Sequence, residues 1–432
     1  MSLDFEIAVI GGGPTGAVTA ALLAHHVGIP AAHIALLAPE LAASAERAAA
    51  PAPAAMPLPI GAAPELRVVA LSRASEQVLR HAGAWQRLDG ARLCAYERMR
   101  VWHESVPADG AEVLEFQAAE LAEPNLGYIA EQRALTAAAM ESFRAAGGAT
   151  LGSRVTALTG CPLHVELLTD QGPVRARLII GADGARSAVR EWLHVGVTAR
   201  DYRQSAIVAT VATARPHQRT AWQRFLGTGP LALLPLYDGS CSIVWSAADA
   251  LARELLALTP DAFGERLAAA SDHVLGLTRL VSERLAVPLQ RATALSLVGE
   301  RAALLGDAAH VVHPLAGQGL NLALLDAAAL VGVLAQGIAQ REDPGAARLL
   351  RRYEQARYTH DVLMSAAMSA FGTLFARGPG PTGWLAARLL GLAGASAAVR
   401  RGLARRALGL SGELPRLARG APLPASGGDL AA

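Results

Sequence analysis

The N-terminal stretch constrains the fold of this chain more than any other segment. Phe5 to Ile10 reads as a short buried strand. Gly11-Gly12-Gly13-Pro14-Thr15-Gly16 follows at once, and a helix is expected from Ala17 to His26. This is G-x-G-x-x-G with a strand before it and a helix after it, the context the motif needs to carry meaning. Gly11 makes the tight turn, Gly13 admits a pyrophosphate, and Gly16 allows helix and strand to pack closely. A second strand, Ile34 to Leu37, completes a βαβ unit of about thirty residues, the length expected of a dinucleotide-binding unit.

One feature departs from the pattern. An acidic residue that would hold a ribose is expected at the end of the second strand, and Ala38 stands there. Glu40, two residues on, is open to two readings: a ribose ligand if the turn bends back, or a plain surface carboxylate. Beyond it, Leu41 to Pro64 is rich in Ala and Pro. Such a segment buries little and is expected to be exposed and partly extended, either mobile or a local lid.

With 432 residues, the chain is expected to form two interleaved domains or one large one. It is 52% hydrophobic with a net charge of +2, which fits a globular enzyme with a large core and argues against nucleic-acid binding through an overall positive field. Cys94, Cys161 and Cys241 lie far apart with no CxxC, as expected for reduced thiols in a cytoplasmic protein. Asp4 and Glu6 stand where the basic region of a signal peptide would be. Val362 to Ala376, the longest uncharged apolar stretch near the C-terminus, is short of the roughly 20 residues that span a bilayer. A transmembrane protein is not expected.

Two further segments carry chemistry. In Leu304 to Asn321 an apolar run ends in Gly306-Asp307, a proline-interrupted loop follows, and Gly317-Gln318-Gly319 opens a long apolar helix from about Leu320. Gly317 and Gly319 bring bare backbone to a helix N-terminus, where N–H groups favour anionic or electron-rich ligands. Asp307, just past a strand end, is where an open α/β sheet contacts its ligands. Leu178 to Arg190 is a strand followed by Asp183-Gly184 and a helix start.

Together with the N-terminal glycines, these segments resemble the three signatures of the FAD-dependent aromatic hydroxylases of the para-hydroxybenzoate hydroxylase type. They occur in that family's order and spacing, from about residue 5 to residue 375. Within the family the chain looks most like the ubiquinone-biosynthesis hydroxylases, through His313-Pro314-Leu315-Ala316-Gly317-Gln318-Gly319-Leu320-Asn321, Arg67 to Ser72, Tyr128 to Arg133, Gln223-Arg224-Phe225, Leu234-Pro235-Leu236 and Arg352-Tyr353-Glu354. The resemblance implies an α/β fold in which a Rossmann-like FAD-binding domain (residues 1–72, 128–190 and 293–375) is interleaved with a β-sheet substrate domain (73–127 and 191–292). A helical C-terminal tail (376–432) follows.

The same resemblance assigns Gly11, Gly13 and Gly16 to the FAD pyrophosphate, Glu40 to the ribose on the first of its two readings, and Arg67 and Arg133 to cofactor contact. Asp183 and Gly184 would serve the region near the pyrophosphate, where the family also handles its nicotinamide cofactor. Asp307 would hold the ribityl chain, and Gly317, Gln318, Gly319, Leu320 and Asn321 would offer backbone amides to the flavin ring. The implied reaction is hydroxylation of a polyprenylated phenol by way of a flavin hydroperoxide, with dioxygen as co-substrate and NAD(P)H or a partner reductase as electron donor. The alternatives are a hydroxylase of a soluble phenol or polyketide, and a flavin-binding scaffold without turnover in a complex of ubiquinone-biosynthesis proteins. Such chemistry needs positioning and a dry site more than a nucleophile, in keeping with the absence of a triad or metal-ligand pattern.

His310 is expected to hydrogen-bond the loop backbone. His313 and Pro314 stand where substrate and flavin should meet, and for His313 a functional contact and a structural one weigh equally. Tyr202 to Gln290 alternates β-rich runs with polar turns. Leu234, Pro235, Leu236 and Trp245 are candidates for the substrate wall or for ordinary core. Trp384 to Leu410 has helical period with Arg388, Arg400, Arg401, Arg405 and Arg406 among Leu and Ala. It reads as a helix docked on the body or as a basic amphipathic element at a membrane surface, on the inner face of a cytoplasmic membrane.

Overall fold

The computed structural model describes residues 3–41, 63–312, 318–357, 388, 391 and 396–424. The proline-rich segment expected at 41–64 lies almost wholly outside the described residues, as do His313, Pro314, Gly317 and the apolar run 362–376. Among the described residues the helices include α1 (Pro14–His26), α2 (Arg73–His81), α3 (Gln132–Ala145), α4 (Ala188–Trp192), α5 (Asp249–Ala257), α6 (Pro260–Ala270), α7 (Gln318–Ala339) and α8 (Ala397–Ala407), and residues 347–357 are helical as well.

The first layer is a mainly parallel sheet. Its strands run in the order Val298–Gly299, Ala302–Leu304, Gly172–Gly181, Phe5–Ile10, Ile34–Leu37, Ala149–Leu151. Parallel strands covered on both faces read as unbroken apolar runs. Ile7 to Ile10, Ile34 to Leu37 and Leu178 to Ile180 are all buried. α1 packs beside α3 and α7, and their Ala and Leu residues close one core with these strands. α7 is, among the described residues, the one helix long and apolar enough to cross a membrane, and most of that stretch is buried in this core.

The second layer is a nine-stranded sheet. Its central strands, Val197–Thr213, Cys241–Ala248, Gly229–Pro235 and Thr220–Leu226, pair antiparallel in that order. Alternation divides its faces. Ile207, Ala209, Leu231, Leu233, Ile243 and Trp245 point to one side, where Leu255 of α5 and Phe263 and Leu267 of α6 cover them. Ala221 and Leu234 point to the other and join Ala70 and Ile129 of a small three-stranded sheet. Leu234 and Leu236 therefore lie on the opposite side of the sheet from Trp245. Trp245 is core, with its ring 6.5 Å from that of Phe263.

Residues 302–311 join the two layers. Strand Ala302–Leu304 belongs to the first sheet, a 3-10 turn spans Gly306–Ala308, and His310–Val311 pairs with Ala292–Thr293 in the second. The sequence suggests a plain strand-loop-helix here, and a two-residue strand carries no periodicity that would reveal it. α2, which the sequence partition puts with the substrate layer, buries Val78 and Leu79 in the first core. α8 docks on the body. Arg400 forks onto Glu120 at 2.8 and 2.9 Å, Ala404 and Leu408 enter the core beneath the small sheet, and Val399 and Leu403 stay exposed.

Candidate functional site

A cleft of about 720 Å³ runs along the C-terminal ends of the parallel strands and on toward the junction of the layers. That size suits a small-molecule site, and strand C-terminal ends are where open α/β sheets bind ligands. Its floor is the glycine loop. Gly11 sits at φ +122°, and a Cβ there would lie 2.3 Å from the Ala182 carbonyl oxygen. A Cβ on Gly16 would come within 1.9 Å of the Gly11 oxygen, so the turn closes only with both glycines. Gly13 instead faces open space. It is also the N-cap of α1 and offers no side-chain cap, with Pro14 in the first turn, so the first N–H groups of the helix are open to an anion.

Glu40 lines the cleft beside Ala38. Its Oε1 lies 2.7 Å from where a Gly12 Cβ would be, so the turn after the second strand does bend back over the glycine loop. Asp183 and Gly184 line the opposite wall. Asp183 Oδ2 accepts from the Val189 N–H at 3.2 Å, whereas its buried Oδ1 has no hydrogen-bond partner among the described residues. Arg190, named in the sequence but given no role, is a tie between loops: its guanidinium donates to the carbonyl oxygens of Ala185 and Ala308, both at 3.0 Å. The Asp183-Gly184 loop and the Gly306–Ala308 turn are thereby held as one wall.

Asp307 opens into the cleft from that turn. Burial by the surrounding protein pushes its pKa up, and the nearby His310 works in the opposite direction. Farther along, Val69, Val311, Val312, Gly319 and Leu320 give an apolar end where α7 begins. Gln318 starts that helix. The Asn321 side chain turns away from the cleft: Oδ1 accepts from the Ser72 N–H at 2.9 Å and from Ser75 Oγ at 2.7 Å, and Nδ2 donates to the Ala70 oxygen at 2.8 Å.

Not every assigned residue is brought to the cleft. Arg67 and Arg133 are exposed, and the lining at their level comes from Val69 and Gln132. Both arginines lie near Glu65, whose Oε2 accepts from the Arg133 N–H at 3.0 Å. His310 also differs from expectation. Its Nε2 meets the buried carboxylate of Asp326 at 2.6 Å, a side-chain partner that the sequence did not suggest. Sequence reasoning missed Ser153, Arg154, Val155, Ala188 and Trp192 in the lining. The first three follow Ala149–Leu151, a strand parallel to Ile34–Leu37, so recognition of that three-residue strand would have placed them at the binding edge.

The glycine cradle, the open helix N-terminus and the volume of the cleft fit a dinucleotide. Comparison with known proteins points the same way. A family model described as "FAD binding domain" matches residues 70–366. The chain is 33% identical over 410 residues to 3-demethoxyubiquinol 3-hydroxylase of Escherichia coli (strain K12), covering 94% of this chain and 98% of that one. It is 36% identical over 364 residues, 83% of each chain, to ubiquinone hydroxylase UbiL of Rhodospirillum rubrum. In fold it is similar to p-nitrophenol 4-monooxygenase PnpA from Pseudomonas putida DLL-E4, with a TM-score of 0.72 at 18% identity over 95% and 99% of the two chains.

Proposed function

The chain belongs to the FAD-binding-domain family, and from that premise we propose that it hydroxylates the aromatic ring of a polyprenylated ubiquinone precursor. The observation that carries the proposal is the nearly end-to-end similarity to a 3-demethoxyubiquinol hydroxylase, which leaves no large part of either chain unmatched. Bound FAD, once reduced, supplies the activation of dioxygen. Everything else falls to the protein's own groups.

The Gly11 to Gly16 loop and the first N–H groups of α1 hold the pyrophosphate, with Gly13 as the point of closest approach. Glu40 accepts from the ribose hydroxyls in place of the acid missing at Ala38. Asp307 accepts from the ribityl hydroxyls, and its raised pKa is the expected consequence of a carboxylate set in a desolvated wall. The N–H groups of Gly319 and Leu320 at the start of α7 would donate to the flavin ring. Val311, Val312 and Leu320 would exclude water from that end of the cleft. His313 and Pro314 border the substrate ring, on the strength of the resemblance alone. Electrons come from NAD(P)H or from a partner reductase, and the basic face of α8 rests on the membrane that holds the prenyl tail.

Quinone profiling of a strain that lacks this gene tests the proposal. A prenylated precursor missing one ring hydroxyl should accumulate, and the plasmid-borne gene should clear it. An ordinary quinone profile in the deletion strain would contradict the proposal.

A further inference from the structure

A carboxylate sealed in a protein core requires partners, and Asp326 of α7 has them on three sides. It is fully buried. Oδ2 accepts from the Gly306 N–H at 3.1 Å and meets His310 Nε2 at 2.6 Å, and Oδ1 accepts from Arg357 Nε at 2.7 Å. Arg357 is also buried, and it lies in the helical stretch 347–357. Burial works against the Asp326 carboxylate, yet the His310 and Arg357 cations outweigh it and hold its pKa below the usual carboxylate value.

A charged cluster of this kind adds little stability over apolar residues of the same volume, because desolvation offsets the attraction. What it does supply is directional placement. Gly306 and His310 flank Asp307, so Asp326 grips both ends of the turn that presents Asp307 to the cleft. The same face of α7 carries Ala323, whose Cβ lies 2.8 Å from where a Gly306 Cβ would be, and Leu320 and Ala323 line the cleft itself. Tyr353, one helical turn before Arg357, donates to the Leu304 oxygen at 2.9 Å and braces the strand that enters the turn. Turn, α7 and stretch 347–357 thus meet at one carboxylate.

We propose that Asp326 is a positioning residue of the cofactor site: with His310 and Arg357 it fixes the Gly306–Asp307 turn relative to the start of α7, and so fixes the ribityl contact relative to the ring contacts. The inference rests on the reading that the cleft holds FAD.

The test measures FAD affinity, flavin absorption spectrum and flavin midpoint potential for the wild type, for Asp326→Asn, and for Trp245→Ala, a core change on the far side of the second sheet. Asp326→Asn is expected to weaken FAD binding by about tenfold or more and to shift the spectrum and potential of the FAD-saturated protein. Trp245→Ala should lower the melting temperature without either effect. Binding by Asp326→Asn within about twofold of the wild type, or a loss that Trp245→Ala reproduces, overturns the proposal. Should Asp326→Asn fail to fold, His310→Gln keeps the Asp326–Arg357 pair and is judged by the same outcomes. A wild-type chain that binds no FAD would instead sink the functional reading itself.

Discussion

Glu40 shows how much a single position decides. From sequence it is a carboxylate two residues past the expected place, and nothing in the pattern says which way it points. The backbone after Leu37 turns back, and its oxygen comes over the glycine loop. As a ribose ligand it contributes a charge-assisted hydrogen bond at a solvent-accessible rim, so Glu40→Gln should weaken FAD binding by roughly three- to tenfold without altering the flavin spectrum. Fluorescence titration of the apoprotein reads this directly, and unchanged affinity would return Glu40 to the surface. A second residue-scale effect concerns His25 and His81. Burial, and then the neighbouring His26, lower both pKa values below 6.5. The unfolded chain therefore binds more protons than the folded one as pH drops through about 6.5, and stability falls in that direction. The melting temperature should decline from pH 7 toward pH 5.5, and less so in a His25→Asn/His81→Asn variant. Parallel pH curves for the two proteins would rule these histidines out as the cause.

At the scale of elements, legibility follows the strength of the local signal. Phe5–Ile10, Ile34–Leu37 and the buried end of Gly172–Gly181 from Leu178 onward could be read because strands buried on both faces leave apolar runs, and the glycines mark where the first one stops. Strand pairing could not be read. The two-residue strand His310–Val311 exists only because Ala292–Thr293 lies alongside, and α2 joins the first core through contacts distant in sequence. The Asp326 cluster was hidden for the same reason, since its members come from a turn, a helix and a further helical stretch. Trp245 and Leu234 show why: both read equally as substrate wall or ordinary core, and only the parity of each strand sends them to opposite faces. Of the two readings of the tail, α8 shows the docked one. Ala404 and Leu408 dock, whereas Val399 and Leu403 stay exposed beside Arg401, Arg405 and Arg406. If that face meets anionic lipid, Val399→Ser/Leu403→Ser should reduce co-sedimentation with anionic liposomes severalfold, at roughly 1 kcal/mol or more per apolar side chain. The melting temperature should be unaffected. Equal co-sedimentation would assign α8 to docking on the body alone.

Taken whole, the molecule has two large sheets and a small three-stranded one, and residues 302–311 are one of the segments that join the large two. The parallel layer brings strand ends and a helix N-terminus to the cleft, and residues 302–311 pass from it to the nine-stranded layer. Asp307 and the start of α7 lie on this crossing, which explains why the stretch from Leu304 to Asn321 carries so much of the chemistry. We propose that this arrangement lets bound FAD place one oxygen atom from dioxygen on a phenolic ring. The most direct measurement is a single turnover that bypasses the question of the electron donor. The flavin of the purified protein is photoreduced, then mixed with isotopically labelled dioxygen and a short-chain prenylated phenol, and the products are weighed by mass spectrometry. One labelled oxygen atom in the phenol per flavin reoxidised is the predicted result. Flavin reoxidation that yields only labelled peroxide, with the phenol unchanged, would contradict the account.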